Sequence, residues 1–410
     1  MNRLRFDGVL LYYLAVFSLV FGNNLITGVL LLLSFIVGFK QSEPEVDSRL
    51  FGIALASLAF FIFLALSFYW SENKAVFWDK LGTKASFALF PLLTIFRIKV
   101  NLLELLKYFI ASNLMAMLLA LIMAAWRSIK AGSLYFYSDA GEVLGSYFTY
   151  GELAQDFMHP GYMALHMAVS ILAIFFFWRH FISRYGHFTT YSAFAALWLF
   201  VFLLQGRMVL LSLLLVLAIW VLLNLRKLFN SRILYVLLGL MVFGFLVLTL
   251  MPDRFLKRYT ELPKMQFEFD ADLSAFNSAT LRLAEWSCAK EVVYENAWFG
   301  VGLGDGETAL QQKYRDKNFV LGMEYKFNAH NQYLETAISN GLIGVLFLIL
   351  LLSAFGWVFV KEGFGFSMAL LLLFALSFIT ESIIERAWGV LLFNVLLFPM
   401  AVDRMKARVN

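Results

Sequence analysis

The chain is poor in charge and almost without cysteine. Only 15% of its 410 residues are Asp, Glu, Lys or Arg, against roughly a quarter in a soluble domain, and that shortage excludes an ordinary water-soluble globule. The single cysteine, Cys288, excludes an internal disulfide and any cysteine-based metal site. Internal repeats and low-complexity tracts are lacking as well. The glycine-rich run Gly300-Val301-Gly302-Leu303-Gly304-Asp305 is followed by no Lys-Ser or Lys-Thr pair. It is therefore no phosphate-binding P-loop and reads as a turn.

What the chain does have is hydrophobic surface. Apolar residues make up 61% of it, with 45 Phe, 17 Tyr and 10 Trp, and the mean hydropathy is +0.76. An integral membrane protein with aromatic belts at both interfaces fits these numbers. The net charge of +5 comes from basic residues that punctuate apolar runs, the pattern of topology signals and not of a nucleic-acid surface.

A span takes about 20 apolar residues, fewer where a helix is buried among others. Twelve segments qualify, near 8–22, 25–39, 50–70, 84–97, 103–126, 160–178, 188–204, 208–225, 233–251, 333–360, 364–380 and 387–402. The expected fold is an all-α integral membrane protein of about 12 transmembrane helices. The first pair, joined at Gly22-Asn23-Asn24, also reads as a hairpin that does not fully cross. Residues 1–251 would hold nine spans and an outer loop over 127–159. Residues 252–332 would form a large extracytoplasmic helical loop, and 333–410 the last three spans. The first apolar run follows Arg3 and Arg5 and lacks a small-residue cleavage site, so it is expected to stay as an anchor. Short loops biased towards Lys and Arg place both termini in the cytoplasm.

Ionisable residues gather where the outer loops meet the apolar runs. Arg207 sits in the short break Gln205-Gly206-Arg207. It is either an arginine reaching for lipid headgroups or a fixed cation whose planar fork suits phosphate oxygens. Arg282 lies in Leu281-Arg282-Leu283-Ala284-Glu285-Trp286, an amphipathic helical stretch, as an exposed salt-bridge residue or a second cation. Arg254, Lys257 and Arg258 compete for that second role. His330 opens His330-Asn331-Gln332-Tyr333-Leu334. An imidazole at a membrane boundary is costly to place idly, and with an ordinary pKa of about 6.5 it can take a proton at neutral pH. Asn331 suits a helix cap, Tyr333 an interface aromatic, and His159, before Pro160, is a second imidazole on the same side. Asp270-Ala271-Asp272 reads as a solvated acidic turn. Glu381 and Glu385, one helical turn apart beside Arg386, read as a structural ion pair on one helix face.

The run His330–Leu334, followed by Gly341-Leu342-Ile343-Gly344 and preceded by the Gly300–Asp305 turn and a long outer loop, resembles the O-antigen ligase and O-antigen polymerase superfamily, the ligases most closely. An arginine like Arg207 at the outer end of a mid-chain helix is also typical of it. The resemblance implies a bacterial inner-membrane transferase with its active site in the periplasm. It would move a glycan from undecaprenyl pyrophosphate to lipid A-core and need no metal, cofactor or nucleic acid. Arg207 and Arg282 would hold the pyrophosphate and His330 would serve the acceptor hydroxyl, with His159, Asn331 and Tyr333 lining the substrate site. A repeat-unit polymerase and a protein O-oligosaccharyltransferase share these features, and a transporter stands as the reading from another class. The two classes differ in where Arg207 and His330 should fall: at one outer site, or along a path across the membrane.

Overall fold

The computed structural model describes residues 7–39, 48–92, 100–137, 143–225, 269, 278–361 and 363–406. Among these residues the chain forms seventeen α-helices and one two-stranded antiparallel hairpin. The helices are α1 (Gly8–Ser18), α2 (Asn24–Phe39), α3 (Ser48–Leu66), α4 (Lys74–Thr83), α5 (Ser86–Leu89), α6 (Leu102–Ala131), α7 (Tyr150–Ala154), α8 (Pro160–Phe176) and α9 (Trp178–Tyr185). After these come α10 (His187–Leu203), α11 (Arg207–Leu223), α12 (Ser278–Glu295), α13 (Gly306–Asp316), α14 (Val320–Glu324), α15 (Gln332–Val360), α16 (Phe366–Ser377) and α17 (Ala387–Lys406). The expected span 233–251 and the latter part of 84–97 lie outside the described residues, as do Arg254, Lys257, Arg258 and the Asp270–Asp272 run.

Among the described residues three apolar helical stretches are long enough to cross a membrane, Leu50–Tyr69, Leu102–Ala131 and Gln332–Val360, and α8 with α9 makes a fourth if counted as one bent span. Shorter apolar helices pack around them. The molecule is apolar outside as well as inside. Along α15, Leu342, Leu346, Ile349 and Leu350 are about half exposed, and their helical spacing puts them on one outward stripe. In water such a stripe would be costly, and in lipid it is the natural surface. The fold is that of a helical, multi-pass membrane protein.

Local chemistry sets the ends of these helices. Asn101 caps α6, its Oδ1 accepting the Glu104 N–H at 3.1 Å, and Gly132 closes the helix with φ +65°. Its 30 residues reach about 45 Å, enough to cross the hydrocarbon core. His159 caps α8 and Pro160 takes the first helical position, where its missing N–H costs nothing. α1 and α2 form a tight antiparallel pair in which the Ser34 hydroxyl donates to the Gly8 carbonyl at 2.5 Å.

α15 is broken near its start, and the break organises the end of the bundle where that helix begins. Gly341 has φ +65° and ψ −172°, which frees the N–H groups beyond it. Leu342 N–H donates to the Ala297 carbonyl at 2.7 Å and Ile343 N–H to the Trp298 carbonyl at 3.3 Å. In return Val301 and Gly302 donate to the carbonyls of Ile338 and Ser339, at 2.9 and 2.8 Å. The turn from Gly300 to Asp305 is thus stitched into the break. Its other side rests on the segment between α3 and α4, where Asp305 accepts from the Glu72 and Asn73 N–H groups at 2.6 and 3.0 Å. A Cβ at Gly302 would lie 2.4 Å from Ser71 Oγ, and one at Gly304 2.3 Å from the Asn73 carbonyl oxygen. The glycine-rich run is a turn, and close backbone approach explains its composition.

α12, α13 and α14 form a small outer body with its own core of Ala284, Cys288, Val292, Leu310, Tyr314 and Phe319. Below it lies the main cluster, which runs through α1, α3, α6, α8, α10, α11 and α15–α17.

Candidate functional site

One carboxylate, Glu381, collects the candidate residues. It lies in the segment between α16 and α17 and is 8% exposed. Arg282, on α12, donates from Nη2 to Glu381 Oε1 at 2.7 Å and from Nε to the Thr380 carbonyl at 3.2 Å. His330 Nδ1 stands 3.4 Å from Glu381 Oε2. That distance is long for a hydrogen bond but within the reach of an ion pair. A Cβ built on Gly161 would lie 3.4 Å from His159 Nδ1 and 3.9 Å from Glu381 Oε1, so the second imidazole stands beside the same carboxylate. Among the described residues, Arg282, His330 and His159 come from three separate parts of the chain to one point.

The backbone around His330 is held from several directions. His330 has φ +40°, a left-handed conformation that costs energy for a side chain of this size. Ala329, just before it, donates its N–H to Glu335 Oε1 at 2.5 Å and accepts at its carbonyl from Trp286 Nε1 at 2.9 Å. Asn328 Oδ1 accepts the His330 N–H at 2.9 Å. Asn331 caps α15, its Oδ1 accepting from Leu334 N–H at 3.1 Å, while its own N–H donates to Ser382 Oγ at 3.2 Å. Gln332 donates from Nε2 to Glu385 Oε1 at 2.9 Å and accepts from Ile384 N–H at 2.8 Å. The last of these bonds fasten Asn331 and Gln332 against residues 382–385, and that contact brings the imidazole to Glu381.

The electrostatics follow from this packing. Burial pulls the His330 imidazole down, but the hydrogen bond to Glu381 and the carboxylates of Glu285 and Glu381 outweigh it, so its pKa is raised. Burial pushes Glu381 up, but His330 and Arg282 hold it below the usual carboxylate range. With Nδ1 turned to a carboxylate, a neutral His330 carries its proton there and leaves Nε2 as the basic nitrogen. His159 is committed differently. Its Nδ1 accepts the Gly161 N–H at 3.3 Å, which leaves Nε2 as the protonated nitrogen of a neutral ring. Behind the site, Glu285 is 2% exposed and its Oε2 has no hydrogen-bond partner among the described residues. Burial lifts this carboxyl to about 8.

The other expected residues fall as follows. Arg207 starts α11, on the turn where Gln205 has φ +50°. A Cβ at the neighbouring Gly206 would lie 2.7 Å from Ala164 Cβ, so the turn rests on α8 five residues beyond His159. Tyr333 packs inward, its hydroxyl donating to the Ala375 carbonyl at 3.0 Å. Asn331 acts as a cap. One sequence expectation needs correction: Glu381 and Glu385 do not share a helix face. α16 ends at Ser377, and the two carboxylates diverge, Glu381 to Arg282 and His330, Glu385 to the buried Lys84 at 2.8 Å. The apolar run into Ile379 hides this ending, because helix and irregular backbone look alike there. Glu381 does form an ion pair, but with Arg282, and it stands at the centre of the cluster. Its signal was available, since Glu381 is an acid set in an otherwise apolar stretch.

The fold and the cluster together describe a membrane protein with an ionisable site at one end of its bundle. The O-antigen ligase family model matches residues 192–349, a stretch that contains Arg207, Arg282 and His330. The comparison supports the O-antigen ligase superfamily that the His330–Gly344 motif resembles, a family of glycosyltransferase-like enzymes. No curated protein matches the chain.

Proposed function

We propose that this protein is an O-antigen ligase-like glycosyltransferase. It moves a glycan from undecaprenyl pyrophosphate to lipid A-core on the periplasmic face of the inner membrane. The observation that carries the reading is His330 Nδ1 facing Glu381, with Arg282 on the same carboxylate; His330 and Arg282 both lie inside the family-matched stretch.

In this reading His330 Nε2 takes the proton of the acceptor hydroxyl, and Glu381 steadies the imidazolium that forms. The hydroxyl oxygen attacks the anomeric carbon while the bond to the pyrophosphate oxygen breaks. The electron pair leaves with the pyrophosphate, and Arg282 and Arg207 take up the added negative charge. One displacement from the opposite face inverts the anomeric centre. Arg282 then has two partners to serve, Glu381 at rest and the donor during reaction. The grouping of Arg282, His330 and His159 at one end of the bundle favours a transferase over a carrier, whose charges would line a path across it.

The test is a transfer assay on the purified protein with lipid-pyrophosphate glycan and lipid A-core. Transfer to the core is expected, with His330→Ala abolishing it while donor binding survives and Arg207→Ala weakening donor binding. Donor chains that lengthen while the core stays bare would make the protein a polymerase. Donor binding lost in His330→Ala would remove the histidine from the role of base.

A further inference from the structure

The end of the bundle away from Glu381 has a built corner of its own. α8 starts beside His159 and ends at Phe176, about 25 Å further along at 1.5 Å per residue. There the chain bends by 85° into α9. Around α9, Trp178, Phe181, Ile182 and Tyr185 fall on one arc, and Arg179, His180, Ser183 and Arg184 on the other. Phe181 is 5% exposed, whereas Arg179, Ser183 and Arg184 are exposed. A helix set across the spans with one apolar and one basic face belongs in the plane of a membrane interface.

The apolar arc closes a groove of about 220 Å³ between α6, α8, α9 and the start of α10. Ile110, Leu114, Ile174, Phe181, Tyr185 and Ala193 line it. Lys107 reaches its edge but is held by Glu104 at 2.7 Å, so it adds little net charge. The stretch that carries α8–α11 has no acid of its own, because no Asp or Glu occurs between Asp156 and Asp253. Arg179, Arg184, His180 and His187 therefore face no acidic neighbour on α8–α11. Arg184 lies one turn from Phe181 and next to Tyr185, which places it at the rim of the groove.

We propose that this corner binds one anionic phospholipid. A stretch of acyl chain fills the groove, and the headgroup phosphate sits on Arg184 and the basic arc of α9. Chain and charge must act together: the groove attracts any lipid, and only the arginines distinguish headgroups. A free phosphate ion would use the arginines alone.

Native mass spectrometry of the detergent-purified protein, offered equal phosphatidylglycerol and phosphatidylcholine, tests this. One phosphatidylglycerol should be retained in preference, and Arg184→Glu should cut its retention about tenfold, to the level of phosphatidylcholine. Ala193→Phe, which fills the groove, should cut retention of both. Arg184 is exposed, so the charge reversal leaves the fold intact, and an unchanged melting profile checks this. Equal retention of the two lipids by the unaltered protein would overturn the proposal. So would indifference to Arg184→Glu, or release of the phosphatidylglycerol by millimolar inorganic phosphate. None of these readouts depends on glycan transfer.

Discussion

At the scale of the residue, the site is a balance of charges around Glu381. In the proposed reaction His330 must be neutral to accept a proton, so transfer should climb as pH rises through its raised pKa. Glu381→Gln removes the partner that raises it. The acid limb of the pH–rate profile should then move to lower pH, and the plateau rate should fall about 100-fold. An unmoved acid limb would mean that Glu381 does not act on His330. Glu285 gives a stability test with a definite sign. Its folded pKa of about 8 lies above the unfolded value, so the folded state binds more protons and stability falls as pH rises from about 4.5 towards 8. Glu285→Gln should melt higher than the parent at pH 7 and lose most of that slope between pH 5 and 8. A variant that melts lower at pH 7, or keeps the slope, would show that the buried carboxyl is not what costs stability.

At the scale of the element, the break in α15 is the feature on which the outer body depends. Gly341→Ala would put a Cβ 2.2 Å from the Trp298 carbonyl, at a backbone angle few side chains adopt. The expected loss is several kcal/mol, seen as a lower melting temperature and faster proteolysis between Asn296 and Gly306. Protection equal to the parent's would show that the turn docks without the break. The sequence showed most of the elements. Runs over 103–126, 160–178 and 333–360 became α6, α8 and α15, and the amphipathic Leu281–Trp286 stretch became part of α12. It did not show the bend between Phe176 and Trp178, where apolar residues continue on both sides. Nor did it show the end of α16 at Ser377, four residues before Glu381.

At the scale of the molecule, the two ends of the bundle differ in charge chemistry. One gathers imidazoles, Arg282 and a carboxylate, while the other carries only basic residues on α9 and the start of α10. Single-cysteine labelling can show that these ends face opposite sides of a membrane. Cys288 is buried, so Cys288→Ser gives the background. Asp316→Cys on the outer body and Ser183→Cys on α9 should each react with an impermeant maleimide from one side only, and from opposite sides. Labelling of both from the same side would contradict the orientation.

Composition alone determined that this chain lives in lipid, because 61% apolar residues leave too little polar surface for water. Periodicity and run length determined most of the helices, since each needs only its own residues to satisfy its backbone. The motif around His330 pointed to a site for a related reason: charge-capable groups at a membrane boundary are costly and therefore few. Only the tertiary structure decided which of those groups meet. Arg282, His330 and Glu381 span 99 residues of sequence, and nothing local ties Glu381 to either partner. Their meeting depends on the Ala329 clamp, on Gln332 bridging to residues 384 and 385, and on α16 ending where it does. Each of these is a long-range contact whose free energy exists only once the helices have packed.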